Sequence, residues 1–454
     1  MNTRELVLDM LLEMERQGTY SNILIKNVLD KHDYLPVREK AFIKRLTEGV
    51  LERRLQLDYV LDAFSKTPVQ KMKPLIRSLL RMSVYQLLFM DGIPDSAVCN
   101  EAVKLASKRR FQSLKGFVNG VLRSIARNKK EIAEGRFYPD PVQSPVSYLS
   151  VLYSMPEQLV EIWLKRYGME RTERILQDLL RIHPVTIRFR ESLEGEERER
   201  LLEEMAAQGV AIQLHPYLPY AYNLTHLEGV RRLAGFAEGA FMVQDVSSMF
   251  CVECAGIQEG NLVVDVCAAP GGKSIHVAEK LRGTGQVLSR DISEEKTRLI
   301  EENAERMCCS HLQVQVFDAR VFDQSLEEKA DVVLADLPCS GLGVLGKKRD
   351  IRYQLTEQML EELPALQKTI LDTVWKYVKV GGILLYSTCT IREEENEDIR
   401  HWFLENYPFE AVEIDQVLSQ IPERQTAQEG YLQFLPGTHE TDGFFLAKFR
   451  RIKE

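Results

Sequence analysis

Cysteine is scarce in this chain, with eight among 454 residues. That is too thin for a disulfide framework, so the cysteines are expected to be free thiols in a reducing compartment. No apolar run approaches the length of a bilayer-spanning helix. The opening residues, Met1 to Leu6, lack the apolar core of a signal peptide, and a cytosolic location is the expectation. Internal repeats and low-complexity segments are absent. The histidines show no metal-ligand spacing. Cys251 and Cys254 are spaced like a zinc ligand pair, but no second pair follows, so a structural zinc is not expected and both should face the core from a helix. Two glycine motifs for phosphates are also missing. There is no GxGxxG, and Gly271-Gly272-Lys273-Ser274 has a residue other than glycine, Cys267, where a P-loop needs one.

Acidic residues are missing from one long stretch. From Ala102 to Lys130 the chain carries nine basic residues and no Asp or Glu. Residues 1–140 hold 25 Lys and Arg against 17 Asp and Glu, a balance of +8, whereas the remainder stands at −16 and the whole at −8. Clustered Lys and Arg suit phosphate contacts, so a polyanion is the partner favoured for the N-terminal third over a merely solvated basic face.

The same third reads as helix throughout. Val7, Met10, Leu11 and Met14 share one face at helical spacing. Further helical patterns cover 37–64, 74–90, 95–109 and 113–129, with Pro74 suited to a first turn and Pro94-Asp95-Ser96 to a helix start. Prolines at 139, 141 and 145 mark a linker. Residues 146–235 read as a small α/β module, with helices near 156–167, 170–181 and 194–207 and a strand at Val185–Phe189.

From 236 onward strands alternate with helices. Strands are expected at Leu262–Val266, Gln286–Ser289, Val314–Phe317, Val332–Ala335 and Ile383–Tyr386, and helices at Ser274–Leu281, Lys296–Met307 and Gln358–Val378. This alternation predicts a parallel sheet covered on both faces. Tyr431–Phe434 and Gly443–Phe449 suit a closing antiparallel pair. Ligands of such sheets bind beyond the carboxyl ends of the strands. Asp265, Asp291, Asp318 and Asp336 all lie at or near those ends. Any one of them reads as a cap or turn residue, but four in order point to a ligand. The first strand runs into Cys267-Ala268-Ala269-Pro270-Gly271-Gly272-Lys273, small residues that let the backbone approach a ligand, ahead of a helix N-terminus. A ligand with an adenosine moiety suits this loop, with an Asp after the second strand on the ribose and a later Asp near the adenine.

Two thiols follow neighbouring strands, Cys339 in Asp336-Leu337-Pro338-Cys339-Ser340-Gly341 and Cys389 in Ser387-Thr388-Cys389. Together with the 267–273 loop they resemble the signature of the RNA 5-methylcytosine methyltransferases. Gln244-Asp245-Val246-Ser247-Ser248 and Glu394-Glu395-Asn396-Glu397 resemble further segments of that family, and the helical third resembles a NusB-like RNA-binding domain. Leu337, where Ala is usual, and Ser274, where Thr is common, are small departures. The resemblance implies three domains: a NusB-like helical bundle at 1–138, a linking α/β module at 146–235, and a Rossmann-like S-adenosylmethionine-dependent methyltransferase domain at 236–454. The implied reaction is methylation of carbon 5 of a cytosine. Attack by a thiolate on carbon 6 makes carbon 5 able to take a methyl group from a sulfonium. By resemblance Cys389 attacks and Cys339 assists release. DNA methylases instead attack from the Pro-Cys motif, which favours RNA here. Asp336 is expected at the cytosine amide edge and beside the methyl donor, and Lys273 near the base or cofactor. The cofactor-binding set is Cys267, Ala268, Ala269, Pro270, Gly271, Gly272, Lys273, Asp291, Asp318 and Asp336. The other cysteines are expected to be buried apolar residues. Lys347, Lys348, Arg349 and Arg352 suit either RNA phosphates or a solvated face. The expected partner is 16S rRNA or a small-subunit assembly intermediate, bound by a monomer without metal or membrane. A tRNA methyltransferase and a non-catalytic RNA-binding factor are the alternatives. The NusB-like domain weighs against the first, and the intact thiols and cofactor loop against the second.

Overall fold

The computed structural model describes residues 2–17, 21–193, 195–309 and 311–453. Its described residues form two compact units: Met1–Arg181 with Leu345–Gln354, and Ile182–Val344 with Leu355–Glu454. The expected module at 146–235 therefore does not stand apart. The helices read near 156–167 and 170–181 belong to the first unit, and the strand and the helix read over 194–207 to the second.

The first unit is helical. Its helices include Thr3–Gln17, Val37–Glu52, Arg54–Phe64, Pro74–Phe89, Asp95–Lys108 and Lys115–Arg127. The pattern read as one helix over 37–64 is two, broken at Arg53, and Pro74 sits in a first turn as expected. Val7, Met10 and Leu11 join Leu46, Leu57, Leu79 and Leu122 in one apolar core. Further along, Pro145–Tyr153 and Glu157–Asp178 are helical, and the second of these breaks at Gly168, where φ is +71°. Among the described residues no helix is long and apolar enough to cross a membrane.

The second unit holds two sheets. The smaller is antiparallel: β1 (Val185–Phe189), β2 (Ala211–Leu214), β3 (Ala221–Thr225) and β4 (Phe241–Val243), in the order β2-β3-β1-β4. Only β1 is expected from the sequence. The helix read over 194–207 runs from Glu196 to Ala207, and residue 194 lies outside the described residues. Ile187, Phe189, Leu224, Phe241 and Met205 form the core beneath this sheet.

The larger sheet contains β5 (Leu262–Asp265), β6 (Gln286–Asp291), β7 (Leu312–Val316), β8 (Ala330–Asp336), β9 (Val378–Thr388), β10 (Phe409–Ala411), β11 (Tyr431–Phe434) and β12 (Phe444–Arg451). Strands β9-β8-β5-β6-β7 are parallel, β12 runs antiparallel against β9, and β11 pairs with β12 as the expected closing hairpin. Valines and leucines of β5, β6, β8 and β9 point alternately to two apolar layers, one under each face. The strand order reverses between β5 and β8, which opens the ligand crevice at their carboxyl ends.

Candidate active site

Three loops meet at that crevice, following β5, β8 and β9. The β8–β9 register places Asp336 opposite Ser387, so the two cysteine motifs leave adjacent strands side by side. Leu337 N–H donates to the Ser387 carbonyl at 3.0 Å and Gly343 N–H to the Cys389 carbonyl at 3.0 Å. The result is a Cys339 Sγ to Cys389 Sγ distance of 3.3 Å. Both cysteines are half-buried thiols, and neither is in a disulfide. Their surroundings are unequal. The hydrogen bond to Cys389, burial, and the negative charges of Cys389 and Glu395 push the Cys339 thiol well up.

Below the thiols lies an ion pair. Lys273 Nζ donates to Asp336 Oδ2 at 2.6 Å, and Ser387 Oγ donates to Asp336 Oδ1 at 2.8 Å. Burial works against the charge on Lys273, but Asp336, with Cys251 and Asp265, outweighs it and holds the ammonium above its ordinary range. Lys273 is thus a fixed cation that can donate, and it is not a proton acceptor at neutral pH. Its Nζ also lies 5.4 Å from the centre of the Phe444 ring.

Beside this pair is a cavity of about 210 Å³, lined by Cys267 to Pro270, Gly272, Lys273, Asp336 and Asp265, with Met242 to Asp245 and Ser248 on the far wall. The β5 loop bends through a cis Ala269–Pro270 bond and Gly271 at φ +100°. A Cβ on Gly271 would meet Ile300 at 3.1 Å, so glycine serves both the turn and the close approach. Asp265 is fully buried. Its Oδ2 accepts from Ser274 Oγ at 2.6 Å, while Oδ1 has no hydrogen-bond partner among the described residues. Burial pushes its carboxyl up to about 6.

The strand-end aspartates divide into two groups. Asp265 and Asp336 line the cavity. Asp291 stands behind the loop, accepting from Ala269 N–H at 3.0 Å and Ile292 N–H at 2.8 Å and facing Lys296 Nζ at 3.0 Å. Asp318 pairs with Arg320 and does not line the cavity. Of the remaining thiols, Cys99, Cys251 and Cys254 are buried as expected, the latter two on the helix Val246–Ala255. Cys308 is exposed and Cys309 half-buried, contrary to expectation, because both follow the end of the helix Glu294–Arg306.

The cations at 347–352 are also resolved. Arg349 pairs with Glu48 at 3.4 Å and Glu52 at 3.2 Å within the helical unit. Arg352 is 2% exposed and donates to the carbonyls of Ser154 and Leu345. Neither guanidinium is available to phosphates as the sequence allowed. Lys347 and Lys348 are exposed.

Comparison with known proteins supplies the family. The model of 16S rRNA methyltransferase RsmB/F matches residues 254–450, and the NusB family model matches residues 1–127. The probable ribosomal RNA small subunit methyltransferase B of Bacillus subtilis is 36% identical, with 99% of both chains covered. The chain belongs to the RsmB/F family of 16S rRNA methyltransferases. Ribosomal RNA small subunit methyltransferase B of Salmonella paratyphi A is 32% identical over 98% of each chain. Among solved structures, PH0851 aligns with a TM-score of 0.81 at 25% identity over 99% of each chain. NSun6 from Pyrococcus horikoshii with SFG shares the fold, at a TM-score of 0.58 over 67% of this chain and 100% of that one.

In this RsmB/F chain the sequence reading missed several cavity residues. Met242, Gln244 and Ser248 line the far wall. Gln244 and Ser248 lie in a segment the resemblance had singled out without a role. Gln244 is held by Arg188, whose Nε donates to Gln244 Oε1 at 2.9 Å. Asp245 caps the helix Val246–Ala255 by accepting from Ser247 N–H at 3.0 Å. Asp265 had a signal in its strand-end position but was not placed in the cofactor set.

Proposed function

We propose that this chain methylates carbon 5 of a cytosine in 16S rRNA, using S-adenosylmethionine, with Cys389 as nucleophile and Cys339 assisting release. The observation that carries the proposal is the unequal thiol pair. Two cysteines lie 3.3 Å apart, and the hydrogen bond to Cys389, burial and the Glu395 charge push the Cys339 thiol up. In the proposed division of labour Cys389 supplies the thiolate, which is the attacking form. During release the Cys339 S–H lies where it can stabilise the departing Cys389 thiolate by donating to it.

The cavity fits the cofactor. Its wall carries a buried carboxylate oxygen with no donor, Asp265 Oδ1, which suits the cofactor's amino group. Gly272 and the small residues of the loop leave room for a ligand against the backbone. Residues 267–273, Asp291, Asp318 and Asp336, with Asp265, would hold it, and Asp291 also accepts from the loop at Ala269 N–H. Bound S-adenosylmethionine supplies the methyl group as a sulfonium. Lys273 and Asp336 together present one donor and one acceptor group to the cytosine edge. A target base inside folded RNA must leave its stack to reach the thiols.

RNA binding by residues 1–138 belongs to the same proposal. Of the nine basic residues from 104 to 130, Lys104, Lys108, Arg109, Lys129 and Lys130 pair with acids. Arg110, Lys115, Arg123 and Arg127 are exposed and have no ion-pair partner among the described residues. Lys115, Arg123 and Arg127, with Asn119, recur at four-residue intervals along one helix face. Gly116 and Gly120 beside them face open space. Such a stripe fits a nucleic-acid backbone. The proposed setting is a monomer in the cytoplasm acting on 16S rRNA or a small-subunit assembly intermediate. Bisulfite sequencing of total RNA from a deletion strain tests the substrate. The expected outcome is loss of one 5-methylcytosine from 16S rRNA. Intact 16S rRNA with a lost tRNA mark would overturn it.

A further inference from the structure

Glu395 is a carboxylate with no surface exposure, and nothing in the chemistry above uses it directly except its charge. It comes from the turn after the Cys389 loop, yet its hydrogen bonds run to the Cys339 loop. Oε2 accepts from Ser340 N–H at 2.9 Å and from Gln367 Nε2 at 3.2 Å. The same Gln367 Nε2 donates to the Pro338 carbonyl at 2.9 Å. The peptide units on both sides of Cys339 are therefore tied to one carboxylate–amide pair. The Tyr386 hydroxyl donates to the Glu395 carbonyl and anchors the turn to β9. Next along the chain, Asn396 ties the other thiol loop. Its Oδ1 accepts from Thr388 Oγ1 at 2.6 Å, and its Nδ2 donates to the Thr390 carbonyl at 3.0 Å and to Gln433 Oε1 at 2.7 Å. A Ser340–Thr390 hydroxyl contact of 2.7 Å joins the two loops directly.

Burying a carboxylate is costly unless its oxygens are satisfied. Glu395 Oε1 has no hydrogen-bond partner among the described residues, and only the Arg392 guanidinium stands near it, at 3.8 Å. We propose that Glu395, with Gln367, is a positioning residue for the release step: it fixes the Pro338–Ser340 backbone so that the Cys339 sulfur stays in hydrogen-bond reach of Cys389. This rests on the proposed division of labour between the thiols. Asn396 performs the matching service for the Cys389 loop, so adjacent residues of one turn set the separation of the two sulfurs.

The test uses the full-length protein with 16S rRNA and S-adenosylmethionine. For wild type, Glu395→Ala, Glu395→Gln and Cys339→Ala, kcat, RNA KM, cofactor Kd and covalent protein–RNA adduct are measured. Glu395→Ala is expected to lose about 10-fold or more in kcat, the scale of a buried hydrogen bond to a charged group. Its RNA KM and cofactor Kd should stay near wild type, and adduct should accumulate as in Cys339→Ala. Glu395→Gln retains an acceptor oxygen for Ser340 N–H and should recover most of the kcat. Unchanged kcat in Glu395→Ala, or equal defects in the Ala and Gln variants, would overturn the proposal. If Glu395→Ala does not fold, as judged by loss of cofactor binding, Gln367→Ala takes its place and must show the same adduct. Adduct absent from Cys339→Ala itself would instead overturn the thiol roles. In that case the release-step assignment falls with them, and a kcat defect of Glu395→Ala rescued by Gln shows only that Glu395 orders the Pro338–Ser340 backbone.

Discussion

At the scale of single residues, burial decides which ionisable groups do chemistry. His276 is 2% exposed, and burial, reinforced by Arg188, pushes its imidazole down to about 3. It is neutral in the folded protein through the physiological range. Below its unfolded value of 6.5 the unfolded chain takes up a proton that the folded chain refuses, so this contribution to stability is present above 6.5 and lost as pH falls towards 3. The loss reaches about 2 kcal/mol at pH 5. Asp265 works in the opposite sense. Its carboxyl is raised to about 6, so the cost of its charge is carried above that pH and relieved as pH falls from 6 towards 3.8. Because the two partly cancel, the difference between proteins is the useful quantity. On going from pH 7 to pH 5, His276→Gln should gain about 2 kcal/mol relative to wild type, read from paired urea melts. A difference that does not change with pH would contradict the neutral histidine. Asp265 also carries a binding prediction. Asp265→Ala removes the donorless oxygen from the cavity wall, and cofactor affinity measured by calorimetry should fall about 10-fold or more.

At the scale of elements, the account turns on loops held between strands. Gly343 sits in the turn after Cys339, where an added Cβ would lie 1.9 Å from the Gly443 carbonyl oxygen. That neighbour is backbone and cannot rotate away. Gly343→Ala should therefore cost about 1–3 kcal/mol in urea unfolding and disturb the Cys389 loop, whose carbonyl accepts from Gly343 N–H. On the helix Lys115–Arg127, changing Lys115, Arg123 and Arg127 together to Glu should weaken 16S rRNA binding and flatten its salt dependence by about 2–3 units of slope, with cofactor binding unchanged. Much at this scale was legible in the sequence. β5, β6, β8 and β9 carry runs of Val, Leu and Ile, so these strands and the polar residues at their carboxyl ends could be read directly, whereas β7, with Gln at alternate positions, was expected two residues late. β2, β3 and β4 were not legible. They have three to five residues, and β2 is mostly exposed, so neither length nor alternation marks them. The break at Arg53 was hidden because the apolar spacing continues across it.

At the scale of the whole molecule, the chain is organised in two units that do not follow its linear order. Leu345–Gln354 follows directly on the Cys339 turn yet belongs to the helical unit. There Asp350 accepts from Ser21 N–H and Oγ, each at 3.0 Å, and the Arg54 guanidinium stacks on Tyr353 at 3.7 Å. No local pattern announces this, since Arg349 suits RNA phosphates or a solvated face equally well and its partners Glu48 and Glu52 lie about 300 residues away. The two thiols were legible from their motifs, but the inequality of their surroundings was not, because the push on Cys339 comes from Cys389, from burial and from Glu395, 50 and 56 positions beyond it in the chain. That inequality is also where the central claim is most exposed. Full-length Cys339→Ala and Cys389→Ala, each incubated with 16S rRNA and S-adenosylmethionine, should separate cleanly on a denaturing gel. Cys339→Ala should accumulate a covalent protein–RNA adduct and Cys389→Ala should form none. Adduct in Cys389→Ala and none in Cys339→Ala would contradict the account.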